Sequence, residues 1–418
     1  MRFLRNLAIG LLIIMAAVVV AFTSSEPKFV ALPAQPTSMA VVKNAMQPLR
    51  DRQDASQPAT IHLSNEELAA ASSLAGQAAS PVIISSTLTD DAWLSGVSYP
   101  LPLGRWLNIE ASVPKQNYTS KAGELPSFKV KIGSVTLPDF LSRPIFKLVL
   151  TQIQKRYSDF PNPDQVLKAL EFSQDAVDVT LQVPRSGTLL KKAADWTGRG
   201  VDDKLVKFAL CHLAAMQIKS PSSDLDAHVR RAFSGEAVGN VGSIENRNRA
   251  SLVALAIYVG GPRAQRVFYT SGMHDANCVV PFDVDIKLAG RADLAKHWAV
   301  SAAMAATLGV NVTGAVGEWK ELSDSLPQGT GFSFVDIAAD RSGFRYGAAA
   351  VNSATAQNVH DRLAGVTDAA LLPPSVIALQ ENISNQEFAD IYSNLDSPEY
   401  KRMIAQIESE LDRSGVPK

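Results

Sequence analysis

The residues of this sequence that are best suited to chemistry lie between positions 290 and 347, where titratable side chains recur at helical spacing. Side chains three or four positions apart lie on the same side of an α-helix. Three pairs have this spacing: Asp293 with His297, Glu321 with Asp324, and Asp336 with Asp340. The pattern predicts three helices, each with one polar spot on a surface otherwise rich in alanine and valine.

If a bundle brings these spots together, two kinds of site follow. Carboxylates and an imidazole that point inward from facing helices bind divalent metal ions. The metal ligands predicted in this way are His297, Asp324, Asp336 and Asp340. In acid-base catalysis, the alternative, His297 titrates near neutral pH and a carboxylate fixes its tautomer. The residues predicted to be catalytic are His297, Glu321, Asp324 and Asp340.

Local structure offers a second interpretation for several of these residues. Ser333 can cap a helix whose third residue is Asp336, so Asp336 can serve only to start that helix. Lys320 and Asp324 are four positions apart and can form a solvent-facing ion pair. Asp340 is close in sequence to two arginines with which it can pair. The sequence leaves both interpretations open.

Helical periodicity dominates the chain from about Trp196 onward, which predicts an all-α domain over residues 194–418 with the polar motifs at 290–347. Small residues separate the polar ones, among them Ala302, Gly343 and Gly347. Residues of this size let helix backbones approach closely. We therefore expect tight helix crossings around the polar spots.

The preceding segment, residues 60–193, combines helical and strand patterns and predicts an α+β domain with an antiparallel sheet. Ser64 and Glu67 form the capping-box pattern of an opening helix. Short stretches rich in β-branched residues follow, such as RWLNIEASV and AVDVTLQV. The segment PDFLSRPIFKLVLTQIQKRYSDF predicts a long apolar helix that packs on this sheet.

The amino-terminal segment has the pattern of an export signal. Arg2 and Arg5 precede an uncharged apolar run from Leu7 to Phe22, so residues 1–23 are predicted to be a membrane anchor or signal. Positive charge before the run places the body of the protein outside the cytoplasm. We expect a single-pass protein of the bacterial inner membrane with its body in the periplasm. Residues 24–59, rich in Pro, Ser, Gln and Ala, are predicted to be a flexible tether.

Charge and cysteine content exclude other classes of protein. The 418 residues include 40 Lys and Arg against 41 Asp and Glu, so the chain lacks the basic surplus of a nucleic-acid-binding protein. Its two cysteines, Cys211 and Cys278, are too few for a disulfide framework or a Cys-based zinc site. Cys211 is predicted to be a buried thiol, and whether the two cysteines pair stays open.

Two parts of the chain resemble known families. The segments GRADLAKHWAVSAAMAATLG and GEWKELSDSLPQGTGFSFVDIAADRSGFRYG resemble a small Gram-negative envelope lipoprotein family of unknown function, with motifs D-K-A-Q-H-F, K-E-L-x-D and G-S-G-[FW]-S-x-x-D. They are more distantly similar to VanZ-like proteins. The order of the SNEEL helix, RWLNIEASV and KIGSVTLP resembles anchored periplasmic domains of the tubular lipid-binding type. The resemblance to the envelope lipoprotein family and to VanZ-like proteins implies a shared polar site, but it does not indicate a reaction. The resemblance to tubular lipid-binding domains implies a groove for an acyl chain.

Two functional hypotheses follow. The first is a membrane-anchored protein of the cell envelope that is not an enzyme and binds a lipid-like ligand or an envelope protein. The second is a hydrolase that acts on an envelope substrate, either with a divalent metal ion or by acid-base chemistry. Whether the chain is an enzyme is left open at this point. The two hypotheses differ in whether the polar side chains converge at a cleft that solvent can reach.

Overall fold

The structure is a computed structural model, and it describes residues 21–52, 57–121, 124–156, 162–182, 200–235, 237, 239, 242–268, 280 and 284–418. The chain divides into two compact units, Met1–Val183 and Pro184–Lys418. The boundary predicted at residues 193 and 194 lies outside the described residues.

The first unit contains helices and short strands. Its helices are α1 (Pro36–Ala45), α2 (Gln47–Arg50), α3 (Asn65–Ala78), α4 (Asp139–Arg156) and α5 (Pro163–Val166). Its strands are β1 (Ala59–Ser64), β2 (Ile83–Leu88), β3 (Ala92–Leu101), β4 (Arg105–Pro114), β5 (Tyr118–Thr119), β6 (Lys129–Ile132), β7 (Val135–Thr136), β8 (Leu167–Phe172) and β9 (Ala176–Leu181). The unit therefore has the α+β composition predicted from its sequence.

These strands form two antiparallel sheets, where a single antiparallel sheet was predicted. One sheet has the order β1-β9-β8-β5 and the other the order β2-β3-β4-β6-β7. In β9, Val177 and Val179 alternate with polar residues and are buried, as the pattern of a half-buried strand requires. Strand β1 pairs with β9, with Ala59 opposite Leu181. This pairing joins the two ends of the unit.

The amino-terminal part of the chain differs from its prediction. Residues 24–59, assigned to a flexible tether, instead contain α1 and α2, and Ala34 and Ser38 are buried. Pro36 starts α1 at the first helical position, where its missing N–H costs no hydrogen bond. The predicted anchor lies almost wholly in residues 1–20, outside the described part of the chain. Among the described helices, none has both the length and the apolar composition that a membrane span requires.

The second unit is helical over the residues that the structure describes. Its helices are α6 (Asp203–Lys219), α7 (Leu225–Ala232), α8 (Ile244–Val267), α9 (Ala292–Leu308), α10 (Val310–Asp324), α11 (Phe334–Ala350), α12 (Ala356–Ala364), α13 (Asp368–Leu371), α14 (Asn385–Ile391) and α15 (Pro398–Arg413). The α+β fold with a helical C-terminal region, predicted from the sequence, is thus confirmed.

Helices α9 and α11 pack closely because glycines face backbone at their crossing. A Cβ atom added to Gly343 would lie 2.2 Å from the carbonyl oxygen of Trp298, and one added to Gly347 would lie 2.1 Å from that of Ala302. Real Cβ atoms do not approach backbone so closely, so no larger residue fits without moving a helix. The tight crossing predicted from the small residues therefore exists, and it aligns the faces that carry the polar spots.

Cys211 is not the buried thiol that the sequence predicted. It lies half-buried on α6 and is disulfide-bonded. The other cysteine of the sequence, Cys278, lies outside the described residues. The prediction of a thiol was based on the apolar residues around Cys211 in KFALCHLAAM. Local sequence carries no information about a disulfide partner that is distant in the chain.

Candidate functional site

Three helices of the second unit bring an imidazole and three carboxylates together. Helix α9 supplies His297, the end of α10 supplies Glu321, and the first two turns of α11 supply Asp336 and Asp340. All four residues are buried, and Glu321 is 0% exposed. Buried charges persist only where partners compensate their desolvation, so the contacts of each group decide what the cluster can do.

Both ring nitrogens of His297 face carboxylates. Its Nδ1 lies 3.1 Å from Oδ1 of Asp340, and its Nε2 lies 3.0 Å from Oδ2 of Asp336 and 4.0 Å from Oε1 of Glu321. Burial lowers the pKa of His297, but the charges and hydrogen bonds of Asp340 and Asp336 outweigh burial and raise this pKa to about 10. Without a metal ion, His297 is therefore an imidazolium at neutral pH, and both ring N–H groups donate.

Asp340 is itself held in place. The hydroxyl of Ser301, one turn beyond His297 on α9, donates to Oδ1 of Asp340 at 2.6 Å. A Cβ atom on Gly317 of α10 would lie 2.8 Å from Oδ2 of the same carboxylate. A larger residue at position 317 would displace this carboxylate from its present position. Asp340 thus fixes the plane of the imidazole and directs Nε2 toward the other two carboxylates.

Glu321 is the most deeply buried of the three carboxylates. Its Oε2 accepts a hydrogen bond from the backbone N–H of Ser333 at 3.0 Å, and its Oε1 accepts one from Nζ of Lys320 at 2.8 Å. Burial raises the pKa of Glu321 to about 7, although the charges of Lys320 and His297 lower it. This carboxylate therefore changes its protonation near neutral pH when no metal ion is present.

Asp336 has two separate roles. Its backbone N–H donates to the hydroxyl of Ser333, which caps α11. Its carboxylate contacts His297. Burial raises the pKa of Asp336, but the hydrogen bond and charge of His297, together with the charge of Lys320, outweigh burial and lower this pKa. Among the described residues, Oδ1 of Asp336 has no hydrogen-bond partner, and the guanidinium of Arg291 lies 3.5 Å away. A buried carboxylate oxygen that accepts no hydrogen bond is costly unless a further group binds it.

A partly open cleft of about 360 Å³ leads to this cluster. His297 and Asp336 line the cleft, whereas Glu321 and Asp340 are not part of its lining. Three basic side chains, Arg291, Lys296 and Lys320, also line it. Arg291 pairs with Asp293 at 2.5 Å and with Glu381 at 2.6 Å.

The structure brings four of the sequence-predicted residues together and leaves one out. His297, Glu321, Asp336 and Asp340 converge. Asp324, predicted both as a catalytic residue and as a metal ligand, lies instead at the rim of the cleft, where it pairs with Lys320 at 2.7 Å. Glu321 and Asp324 share a helix face, but Asp324 is one turn nearer the end of α10, and its charge is satisfied there.

Sequence reasoning missed Ser301, Arg291 and Glu381 as parts of the site. Ser301 is four residues after His297, so the helical spacing that selected the other residues also selects it. Glu381 follows α13 in an irregular segment and accepts from Ser333 at 3.1 Å. No local pattern marks it.

Comparisons with protein-family models, curated protein sequences and solved structures find no match to this chain. The resemblances to the envelope lipoprotein family, to VanZ-like proteins and to tubular lipid-binding domains stay predictions. The function must be argued from the geometry of the site.

Proposed function

We propose that the second unit binds one divalent metal ion between His297, Glu321 and Asp336 and that the protein is a metal-dependent hydrolase. The observation that carries this proposal is the convergence of one ligand atom from each of the three residues, all within 4.8 Å of one another. These atoms are Nε2 of the imidazole and one oxygen from each carboxylate.

The distances between the ligand atoms of His297, Asp336 and Glu321 suit a single divalent metal ion. Bonds from such ions to imidazole nitrogen and carboxylate oxygen are about 2.0–2.2 Å long, so two ligand atoms of one ion lie about 3–4 Å apart. Nε2 of His297 is 3.0 Å from Asp336 and 4.0 Å from Glu321. The ligand atoms of His297 and the two carboxylates are therefore close to the separations that one metal ion requires.

The surroundings of His297 also favour a metal ligand. A metal-bound imidazole usually donates its second N–H to a carboxylate, which fixes the ring and strengthens the bond to the metal. Asp340, held by Ser301, occupies this position at Nδ1. The metal-free alternative, with His297 as a general base, has less support because both ring nitrogens already contact carboxylates.

The ligand set narrows the kind of ion. One imidazole and two carboxylates suit Mn²⁺, Fe²⁺ or Zn²⁺, whereas Ca²⁺ prefers six to eight oxygen ligands. Two carboxylates neutralise the charge of a divalent ion, and the ion would also be near Oδ1 of Asp336, which accepts no hydrogen bond among the described residues.

Three protein ligands leave coordination positions for water and substrate, which is the arrangement of catalytic rather than structural metal sites. A bound ion lowers the pKa of its water and polarises the bond to be cleaved. The cleft of about 360 Å³ gives a small group access to His297 and Asp336.

A lipid carrier in the first unit has less support. One cleft among the described residues of that unit, about 410 Å³ in volume, is lined largely by polar residues, among them Gln116, Asn117, Lys121 and Arg143. An acyl chain requires an apolar lining.

The hydrolase proposal is tested with the full-length protein, stripped with a chelator and reloaded separately with Zn²⁺ and Mn²⁺. Chromogenic phosphate monoesters, phosphate diesters and carboxylate esters serve as substrates. We expect hydrolysis of at least one class that disappears on chelation, returns with metal and is absent from His297→Ala. Stoichiometric metal binding without any hydrolysis would support the metal site but contradict the proposal that the protein is a hydrolase. Activity that survives chelation would contradict a role of the metal ion in hydrolysis.

A further inference from the structure

The turn between β3 and β4 in the first unit carries an exposed leucine. Residues Pro102–Gly104 form the turn, and Leu103 is 98% exposed. Its φ is +63°, in the left-handed region. Apart from glycine, residues rarely adopt this conformation, and Asn and Asp are the usual exceptions.

Neither folding nor solubility accounts for leucine at this position. A left-handed turn residue is normally chosen for its backbone, and a polar residue there would also remove apolar surface from water. The strand register requires only that the turn place Leu101 opposite Arg105. An unfavourable conformation that presents a large apolar side chain to solvent points to a contact made outside the unit.

The residues next to the turn have the composition of a membrane interface. Tyr99 is 50% exposed, and Trp106 lies beside the turn on the neighbouring strand. Tyr and Trp concentrate at the boundary between lipid and water, since one part of each ring system is apolar and the other polar. From Tyr99 to Leu107 the only charged residue is Arg105. At its opposite end, β3 begins directly after Asp90 and Asp91.

The apolar amino-terminal segment leads to this same end of the sheet. Ser24 pairs with Trp106 through two backbone hydrogen bonds of 2.9 and 2.8 Å, and Arg105 donates to Thr23. A Cβ atom on Gly133, in the turn between β6 and β7, would lie 2.5 Å from the carbonyl oxygen of Ala21. Since Ile132 pairs with Ile109 of β4, this turn and the β3–β4 turn lie at one end of the sheet.

We propose that the β3–β4 turn is a membrane-contact element, with Leu103 inserted into the interface of a phospholipid bilayer and Tyr99 and Trp106 at the level of the headgroups. Arg105 supplies a positive charge at this level, which suits anionic lipids. The uncharged run from Leu7 to Phe22 enters the described part of the chain at the same end of the sheet. The proposal concerns the first unit and is independent of the metal site.

The test uses two full-length variants, Leu103→Cys and Asp90→Cys, each labelled with an environment-sensitive fluorophore without reduction of the disulfide at Cys211. Both positions are exposed turns at opposite ends of β3, and ten residues of strand separate them by about 33 Å. Vesicles contain phosphatidylcholine and phosphatidylglycerol, with and without brominated acyl chains.

We expect the label at position 103 to shift to shorter wavelength on vesicle binding and to be quenched at least twofold more by brominated lipid than the label at position 90. Equal quenching of both labels, or a label at position 103 that stays in water on bound protein, would overturn the proposal. So would a failure of the full-length protein to bind vesicles. A shift without vesicles that grows with protein concentration would instead indicate contact between two copies and would equally contradict it.

Discussion

His297 and Asp340 are joined across two helices by a contact of 3.1 Å between Nδ1 and Oδ1, and the same Oδ1 also accepts a hydrogen bond from the hydroxyl of Ser301. The contact decides which ring nitrogen is available for a ligand. With Nδ1 held by Asp340, Nε2 faces Asp336 and Glu321. The metal site that we propose requires this orientation of the imidazole ring.

Asp340→Asn tests the role of the carboxylate that holds the ring. Asparagine retains an oxygen that can accept from Nδ1 but lacks the negative charge, so we expect metal affinity to fall by about 10–100-fold. Circular dichroism should stay unchanged. Ser301→Ala is the matched control: it removes one hydrogen bond to Asp340 and keeps its charge, so its effect on affinity should be smaller. A larger effect of Ser301→Ala would contradict the proposed role of Asp340.

Gly343→Ala tests the helix crossing beneath the site. The new Cβ atom would meet the carbonyl oxygen of Trp298, one residue from His297. Forced separation of α9 and α11 should cost about 1–3 kcal/mol of unfolding free energy and weaken metal binding. Denaturant titration and metal titration measure the two effects.

Gly314→Ala on α10 is the control for Gly343→Ala, since a Cβ atom there has only Phe344 within reach, at 3.9 Å. Alanine is the better helix former by about 1 kcal/mol, so this variant should be as stable as the natural protein or more so. Equal destabilisation by both alanines would refute the explanation from close packing.

The pH dependence of metal binding follows from two raised pKa values. In the metal-free protein His297 has a pKa of about 10 and Glu321 one of about 7. A metal ion binds the deprotonated forms and must displace these protons. Affinity should therefore rise about tenfold per pH unit between pH 7 and 8.5, where only His297 loses a proton, and more steeply below pH 7.

Isothermal titration in buffers of different ionisation enthalpy counts the protons released. We expect about one proton per metal ion at pH 8 and a number approaching two at pH 6. Binding that releases no protons and is indifferent to pH would place the metal elsewhere.

Arg341 provides a test of the scaffold that is separate from the ligands. It contacts Glu318 of α10 at 3.0 Å and Glu408 of α15 at 2.6 Å, and so joins three helices. Arg341→Met should cost about 3 kcal/mol, because it removes the cation that compensates the carboxylate of Glu318, whose side chain is only 12% exposed. Arg402→Met breaks the exposed pair with Glu399 within α15 and should change stability by less than about 0.5 kcal/mol. Similar losses in the two variants would contradict this account of the network.

Local hydrogen bonds are the part of the fold that the sequence predicts best. The capping boxes at Ser64 with Glu67 and at Ser384 with Glu387 both form, because each needs only residues three positions apart. The pairing of β1 with β9 and the split into two sheets depend on contacts across more than a hundred residues, and no local pattern encodes them.

The site shows the same division. Helical spacing placed His297, Asp336 and Asp340 on faces that meet. Asp336 starts α11 through its backbone N–H to Ser333, but its carboxylate also contacts His297, so it does not serve only to start the helix. Its role as a metal ligand stays a prediction. Spacing could not separate Glu321 from Asp324, which share a helix face. Only the packing of α10 shows that the first is buried and that the second pairs with Lys320 at the rim.

Metal titration of Glu321→Gln and Asp324→Asn tests the central claim most directly. The two substitutions remove one carboxylate charge each, three residues apart on α10, and both leave side-chain size unchanged. The structure puts only Glu321 in the ligand set. With metal content measured by mass spectrometry after equilibrium dialysis against Zn²⁺, the natural protein and Asp324→Asn should each hold one ion per chain. Glu321→Gln should bind more than about a hundredfold more weakly, since loss of an outer-shell partner alone costs about 10–100-fold. Equal metal content in both variants, or no stoichiometric metal in the natural protein, would contradict the account.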